Sequence, residues 1–178
     1  MPWPQGRYPL DQLSQSGKTI FMKEIPLTQG KVALVDDEDF ERVIQFKWHA
    51  IWDGFNWYAG SYLGSRGQMK KVTRMHQLII PGHARLDHRD GNGLDNQKSN
   101  LRPATNAQNT SNRRKHSGSN NTYKGVCFHK ANKSWGASIA FMGHKFHLGY
   151  YASEIDAAVS YNHAACAYFG EFARLNSV

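Results

Sequence analysis

The spacing of hydrophobic positions along this chain changes from one stretch to the next, and each change predicts an element. "IPLTQGKVALV", residues 25–35, reads as two short strands about a Gln-Gly turn. "DDEDFERVIQFKW", residues 36–48, has acidic residues in its first turn and Phe40, Val43 and Ile44 on one face, which suits a short helix. "WHAIWDGFNWYAGSYL", residues 48–63, alternates aromatic and small residues around Asp53-Gly54 and predicts a hairpin. In the middle, "ARLDH" reads as a strand, "RDGNGLDNQK" as a long loop and "SNLR" as a second strand before Pro103. "TNAQNTSN" then starts a helix with Thr105 as N-cap and Gln108 three residues on, a capping box. "YKGVCFHK", "SWGASIAFM" and "KFHLGYY" follow as three strand-like runs separated by turns. The Ala-rich "SEIDAAVSYNHAACAYFG" predicts a last helix, with Ser153 and Asp156 as a capping pair and Ile155, Ala158, Val159, Cys166 and Phe169 as its apolar stripe.

These elements give an α+β fold in five segments. Residues 1–20, rich in Pro, Gly, Gln and Ser, form a loose arm, and residues 21–74 a β-rich module. Residues 75–112 hold the strand, loop, strand and helix. The mixed basic, Ser, Gly and Asn stretch at 113–122 marks a linker, and 123–178 make a domain of three strands and one packed helix.

A chain of 178 residues with 40% hydrophobic content can bury real cores, which excludes general disorder. No apolar run approaches a membrane span, and "MPWPQGRYPL" lacks the charged-then-apolar order of a secretory signal, so a cytoplasmic protein is expected. Cys127 and Cys166 are the only cysteines and form no Cys-x-x-Cys. Neither a disulfide framework nor a thiolate zinc site is indicated, and both read as packed small hydrophobes. His76, within "MHQLII", reads as a packed histidine, and His83 as an exposed turn residue. The acidic run Asp36–Asp39 reads as a helix start rather than a metal site.

The net charge of +8 is unevenly spread. Residues 96–153 contain no Asp or Glu, against nine cations: Lys98, Arg102, Arg113, Arg114, Lys115, Lys124, Lys130, Lys133 and Lys145. Residues 1–95 carry twelve basic and eleven acidic side chains and are close to neutral. A basic, acid-free stretch interleaved with Tyr, Phe and Trp is the electrostatic footprint of a nucleic-acid surface.

Candidate chemistry lies at "LDHRDGNGLDNQKSNLR", residues 86–102, which sets a carboxylate beside an imidazole. Asp and His are also common in turns, and Asp-Gly-Asn-Gly is turn chemistry. Spacing separates the two readings. After Asp87-His88, Asn100 follows His88 by twelve residues and Asn109 follows nine residues later. This pattern resembles the HNH nuclease family, over about residues 75–112, in the form that has Asn at the last position. The resemblance implies a ββα-metal module in which Asp87 and Asn109 supply oxygens to one divalent cation, Mg²⁺ or Mn²⁺. It implies His88 as general base and Asn100 as the residue that holds the loop so that His88 keeps its orientation. The chemistry agrees: phosphodiester hydrolysis needs a base that titrates near neutrality and a hard cation on oxygen ligands. Arg102 reads either as a contact to the scissile phosphate or as a solvated strand residue.

The last segment, about 119–176, resembles the APETALA-type, or ethylene-response-factor, DNA-binding domain of plants. The residues that carry this are Tyr123-Lys124-Gly125-Val126, Trp135, Ala137, Ile139, Leu148-Gly149, the Ala-rich helix and Ala173-Arg174-Leu175-Asn176. The resemblance implies a three-stranded antiparallel sheet in the major groove with one helix packed behind it. Lys124, His129, Lys133, Ser138, Lys145 and His147 would face the duplex, and Trp135 would either touch sugar and phosphate or join the core. Cys127 and His129 stand where plant members tend to carry arginines, so the base-reading set differs.

The joint expectation is a metal-dependent, site-specific DNA endonuclease like the free-standing HNH homing endonucleases of phages and mobile introns, acting on double-stranded DNA in the host cell. The DNA-binding set is Arg102, Arg113, Arg114, Lys115, Lys124, His129, Lys133, Trp135, Lys145 and His147. No small-molecule cofactor is expected, and a monomer rather than a dimer. The competing expectation is a non-catalytic sequence-specific DNA-binding regulator, and a weaker one is RNA binding.

Overall fold

The computed structural model describes residues 12–13, 19–63, 71–115 and 121–178. Most of the expected arm (1–20) and residues 116–120 of the expected linker lie outside the described residues. The architecture is α+β, built of small antiparallel sheets and short helices. Two compact units form, Met1–Gly82 with Gly93–Asn100, and His83–Asn92 with Leu101–Val178. Among the described residues no helix is long and apolar enough to cross a membrane.

In the first unit, β1 (Gln12–Leu13) pairs with β2 (Thr19–Ile20), and β3 (Met22–Pro26) pairs antiparallel with β4 (Val32–Asp36). The turn between β3 and β4 places Gln29 and Gly30 at φ 61° and 64°, left-handed positions that suit the expected Gln-Gly turn. Helix α1 (Asp37–Val43) follows directly. Strands β5 (His49–Trp52), β6 (Trp57–Leu63) and β7 (Lys71–Arg74) make an antiparallel meander, and α2 (Met75–Ile79) continues from β7. The β5–β6 turn is held by the Asp53 carboxylate, which accepts from the backbone N–H groups of Phe55 and Asn56 at 2.9 Å each. His76 is buried, edge-on to Tyr58, and His83 is exposed, both as expected.

One detail of α1 differs from its sequence reading. Val43 is fully buried, but Ile44 is 49% exposed and Asp39 is buried in its place. The helix docks through charge: Asp39 pairs with Arg42 at 2.5 Å and lies 3.0 Å from Lys98 Nζ, while Arg42 also donates to the Ile79 carbonyl. A buried carboxylate is retained only with such partners.

In the second unit, β8 (Leu86–His88) pairs antiparallel with β9 (Leu101–Pro103), in register Leu86 with Pro103, Asp87 with Arg102 and His88 with Leu101. Helix α3 (Asn106–Asn112) carries the expected capping box, with Thr105 accepting from the Gln108 N–H and Gln108 from the Thr105 N–H. Strands β10 (Val126–His129), β11 (Ser134–Phe141) and β12 (His144–Tyr151) form one antiparallel sheet, and α4 (Glu154–Phe169) packs on it, capped by Ser153. Val126, Ala137 and Ile139 meet Ala157, Ala158, Tyr161 and Ala165 there. Gly125 precedes the sheet at φ +76°, and a side chain on it would collide with the Tyr161 ring.

The expected stripe of α4 holds only in part: Ala158 is buried and Phe169 packs against the core. Ile155 and Cys166 are exposed, and the buried face runs Ala157, Ala158, Tyr161, Ala165. Small side chains let the helix approach the sheet closely, and that contact outweighs the larger hydrophobes on the flanks. Cys127 is exposed as well, so neither cysteine is the packed hydrophobe expected. The register of the sheet explains Cys127: it pairs with Gly136 while its neighbours Val126 and Phe128 alternate to the helix side.

Candidate active site

The strand β8 has three consecutive buried residues, Leu86, Asp87 and His88. A carboxylate and an imidazole buried together need partners, and β9 and α3 supply them to Asp87. Opposite it in register, Arg102 donates from Nε and Nη2 to Asp87 Oδ2, at 2.9 and 2.8 Å. Asn112, at the end of α3, donates from Nδ2 to Asp87 Oδ2 (3.0 Å) and Oδ1 (3.1 Å), and to the His88 carbonyl at 2.7 Å. Asn109, one turn earlier, directs its Nδ2 to the Leu86 carbonyl at 3.4 Å. That contact assigns the amide nitrogen to the strand and leaves Asn109 Oδ1 as the group's acceptor.

Asn100 belongs to the other unit and closes a loop there. Its Nδ2 donates to the Asp95 carbonyl at 2.9 Å and its N–H to the Gln97 carbonyl. The loop 93–100 is tied to β4 on both sides: Leu34 donates to Leu94 and Asn96 donates back to Leu34, through an isolated parallel bridge. Asp36 accepts from the Lys98 N–H at 2.8 Å and from Gln97 Nε2, and Lys98 Nζ reaches Glu38 at 2.6 Å. The acidic run is thus a helix start, as expected, and also the anchor of the Asn100 loop, which no local pattern announced.

A second group of cations lines the turn after His88. The guanidiniums of Arg174 and Arg114 both lie against Gly91, and Arg174 Nη1 donates to the Asp90 carbonyl at 2.7 Å. Lys124 Nζ donates to the carbonyls of Ser111 and Arg113. Burial, and then the nearby charge of Arg174, lower the Lys124 ammonium to about 8. Among the described residues no carboxylate lies within ion-pair distance of Arg114, Lys124 or Arg174, whereas Arg89 is paired with Glu171. Asn176 fixes this end of the chain, accepting from the Lys124 N–H at 2.7 Å and donating to its carbonyl.

The other sequence candidates fall in four places. Cys127, His129, Ser138, Lys145, His147 and Tyr150 share the sheet face away from α4, by register and alternation. There Tyr150 packs against the rings of both His129 and His147. Lys133 sits in the β10–β11 turn at φ 46°, and Trp135 is on the helix side, edge-on to Phe128 and against the core. Arg113, Arg114 and Lys115 follow α3 directly. Sequence reasoning missed Asn112, Glu171 and Arg174. Asn112 had a signal, since it lies three residues after Asn109 and so on the same helix face. Glu171 had none.

The donor set can be tested against a cation. Among the described residues no three His, Cys, Asp or Glu side chains group closely enough to hold a metal ion. A site of one carboxylate and one amide oxygen suits a hard cation that keeps most of its water, as Mg²⁺ does, and does not suit zinc.

No family model matches the chain. A protein of Acanthamoeba polyphaga mimivirus, named an uncharacterized HNH endonuclease, is 34% identical over 154 residues, which cover 84% of this chain and 77% of the relative. A match of that breadth cannot leave out the central strand, loop, strand and helix. With Asp87-His88 on a buried strand, Asn109 on the helix beside it and this relative along most of its length, the chain belongs to the HNH endonuclease family.

Proposed function

We propose that the chain is a metal-dependent, site-specific DNA endonuclease that hydrolyses phosphodiester bonds in double-stranded DNA, like homing endonucleases. The observation that carries this reading is the buried Asp87-His88 pair on β8, held from α3 by Asn112 on the Asp87 carboxylate and the His88 carbonyl, with Asn109 on the adjacent Leu86 carbonyl. His88 takes a proton from the attacking water. Asp87 and Asn109 would hold one Mg²⁺ or Mn²⁺, which when bound stabilises charge on the phosphate and on the leaving oxygen. Asn100 holds the loop 93–100 in shape through Asp95. In this reading residues 75–112 are a ββα-metal core, 113–122 a linker and 123–178 an APETALA-type recognition module. The module presents His129, Lys145 and His147 to the duplex from the face away from α4. Arg114, Lys124 and Arg174, beside the turn that follows His88 and with no carboxylate within ion-pair distance among the described residues, are suited to a DNA backbone phosphate.

Incubation with supercoiled plasmid and Mg²⁺ tests the reading. One active site per chain gives nicked circles and mapped single-strand ends. Shift of the plasmid without any cutting marks a non-catalytic DNA-binding regulator instead.

Lys124 gives the DNA contact a pH dependence of known sign. Its ammonium is charged below about 8 and neutral above. Affinity for duplex DNA should therefore fall between pH 7 and pH 9, and the slope of log K against log salt should flatten by about 0.9, the share of one phosphate. Lys124→Arg, whose charge does not titrate there, should abolish the change. Fluorescence anisotropy across that range decides it; identical profiles for both proteins would remove Lys124 from the interface.

A further inference from the structure

Arg102 is one of the most buried charges in the protein, at 4% exposure. It connects two distant parts of the chain. On one side Nε and Nη2 both donate to Asp87 Oδ2. On the other, Nη1 donates to the Glu171 carbonyl at 2.7 Å and lies 3.3 Å from Glu171 Oε2, and the guanidinium lies 3.7 Å from the centre of the Phe172 ring. Glu171 and Phe172 form the turn that ends α4, and Phe172 is itself buried. We propose that Arg102 is a positioning residue for the nuclease site, seated on Glu171 and Phe172, so that the end of the C-terminal module aims the Asp87 carboxylate. This rests on the reading of Asp87 as a metal ligand.

The geometry gives the seat a specific consequence. Both Arg102 donors fall on one oxygen, Oδ2, while Oδ1 accepts from Asn112 alone at 3.1 Å among the described residues. One carboxylate oxygen is thereby taken up by the guanidinium, and the other, held by Asn112 alone, would be the one to meet a cation. A guanidinium holds this arrangement because its donors form a rigid planar fork, with two edges for Asp87 and Glu171 and a face for Phe172. A lysine ammonium at the same place is a single point charge on a flexible stem and cannot serve all three. Residues 83–92 and 101–112 also cluster with the C-terminal module in one compact unit, which is what such a seat requires.

The test uses the full chain with Arg102→Lys and, as a second variant that keeps an apolar side chain in the core, Phe172→Leu. Three quantities are read: Mn²⁺ affinity by electron paramagnetic resonance, duplex affinity in EDTA by anisotropy, and cleavage rate against Mn²⁺ concentration at saturating DNA. A positioning role predicts Mn²⁺ binding weakened roughly 10- to 100-fold in Arg102→Lys, and in the same direction but less in Phe172→Leu. Metal-free DNA affinity should stay within about twofold and cleavage should recover in part at high Mn²⁺. Weakened DNA affinity with unchanged Mn²⁺ binding would make Arg102 a phosphate contact and overturn the proposal. Unchanged Mn²⁺ binding and rate in both variants would overturn it while the unmodified protein still cuts. If the unmodified protein neither binds Mn²⁺ nor cuts, the nuclease reading falls and this proposal with it.

Discussion

His88→Ala is expected to lower the cleavage rate by roughly 10²- to 10⁴-fold, the usual contribution of a positioned general base, while duplex affinity in EDTA stays within about twofold. The argument is local. His88 ends β8 at 4% exposure, and its backbone carbonyl is held by Asn112 and its strand by the pairing with Leu101, so the substitution removes the imidazole without removing what fixes the strand. A base acts on the proton of the attacking water and contributes little to ground-state binding, so the loss should appear in kcat and not in Kd. Single-turnover cleavage of a mapped site, alongside anisotropy on the same duplex, separates the two. Cleavage retained near the unmodified rate would sink the assignment of the base.

Asp87→Asn is the second large effect, and it should act twice. On activity, losing the only carboxylate of the proposed site removes several kcal/mol of charge stabilisation, on the order of 10³-fold in rate, partly recovered by raising Mn²⁺. On stability, the substitution takes away the buried counter-charge of the Arg102 guanidinium and leaves it only the exposed Glu171 carboxylate, 3.3 Å away. Removing one partner of a buried pair costs about 3–5 kcal/mol. The lower end is expected here because Glu171 still accepts from Arg102 through its carbonyl. The two effects differ in their response to metal: Mn²⁺ should restore some cleavage and should not restore the denaturation midpoint measured without it. If neither activity nor stability moves, Asp87 is neither a ligand nor the partner that keeps Arg102 buried.

The two predictions test different links in one chain of contacts. Asp87 sits between a strand partner and a helix partner, and its strand partner, Arg102, is held in turn by Glu171, 69 positions further along. His88 lies one residue on, and its substitution leaves that chain of contacts intact. Comparing thermal midpoints of the two variants therefore weighs loss of the imidazole against loss of the seat, since Asp87→Asn should lower the midpoint further.

Much of the local structure was written in the sequence. The Gln-Gly turn, the Asp53-Gly54 hairpin, the Thr105 capping box and the Ser153 cap are decided within a few residues by backbone preference and side-chain reach, and each stands where the residues placed it. The order of strand, loop, strand and helix around Asp87-His88 is legible for the same reason, as is the absence of acidic residues from 96–153.

Choice among faces and partners was not local, and only the tertiary structure made it. Which stripe of α4 is buried depended on the sheet beneath it, where close approach favoured Ala157, Ala158 and Ala165 over Ile155 and Cys166. Whether Arg102 meets solvent, a phosphate or a carboxylate depended on Asp87 across the strand pair and on Glu171 and Phe172 near the end of the chain. The acidic run at 36–39 reads locally as a helix start, yet Asp36 and Glu38 also hold a loop some sixty residues away. A buried charge is stabilised by whatever counter-charge and hydrogen bonds the fold brings within about 3 Å, and sequence spacing carries no information about partners that distant.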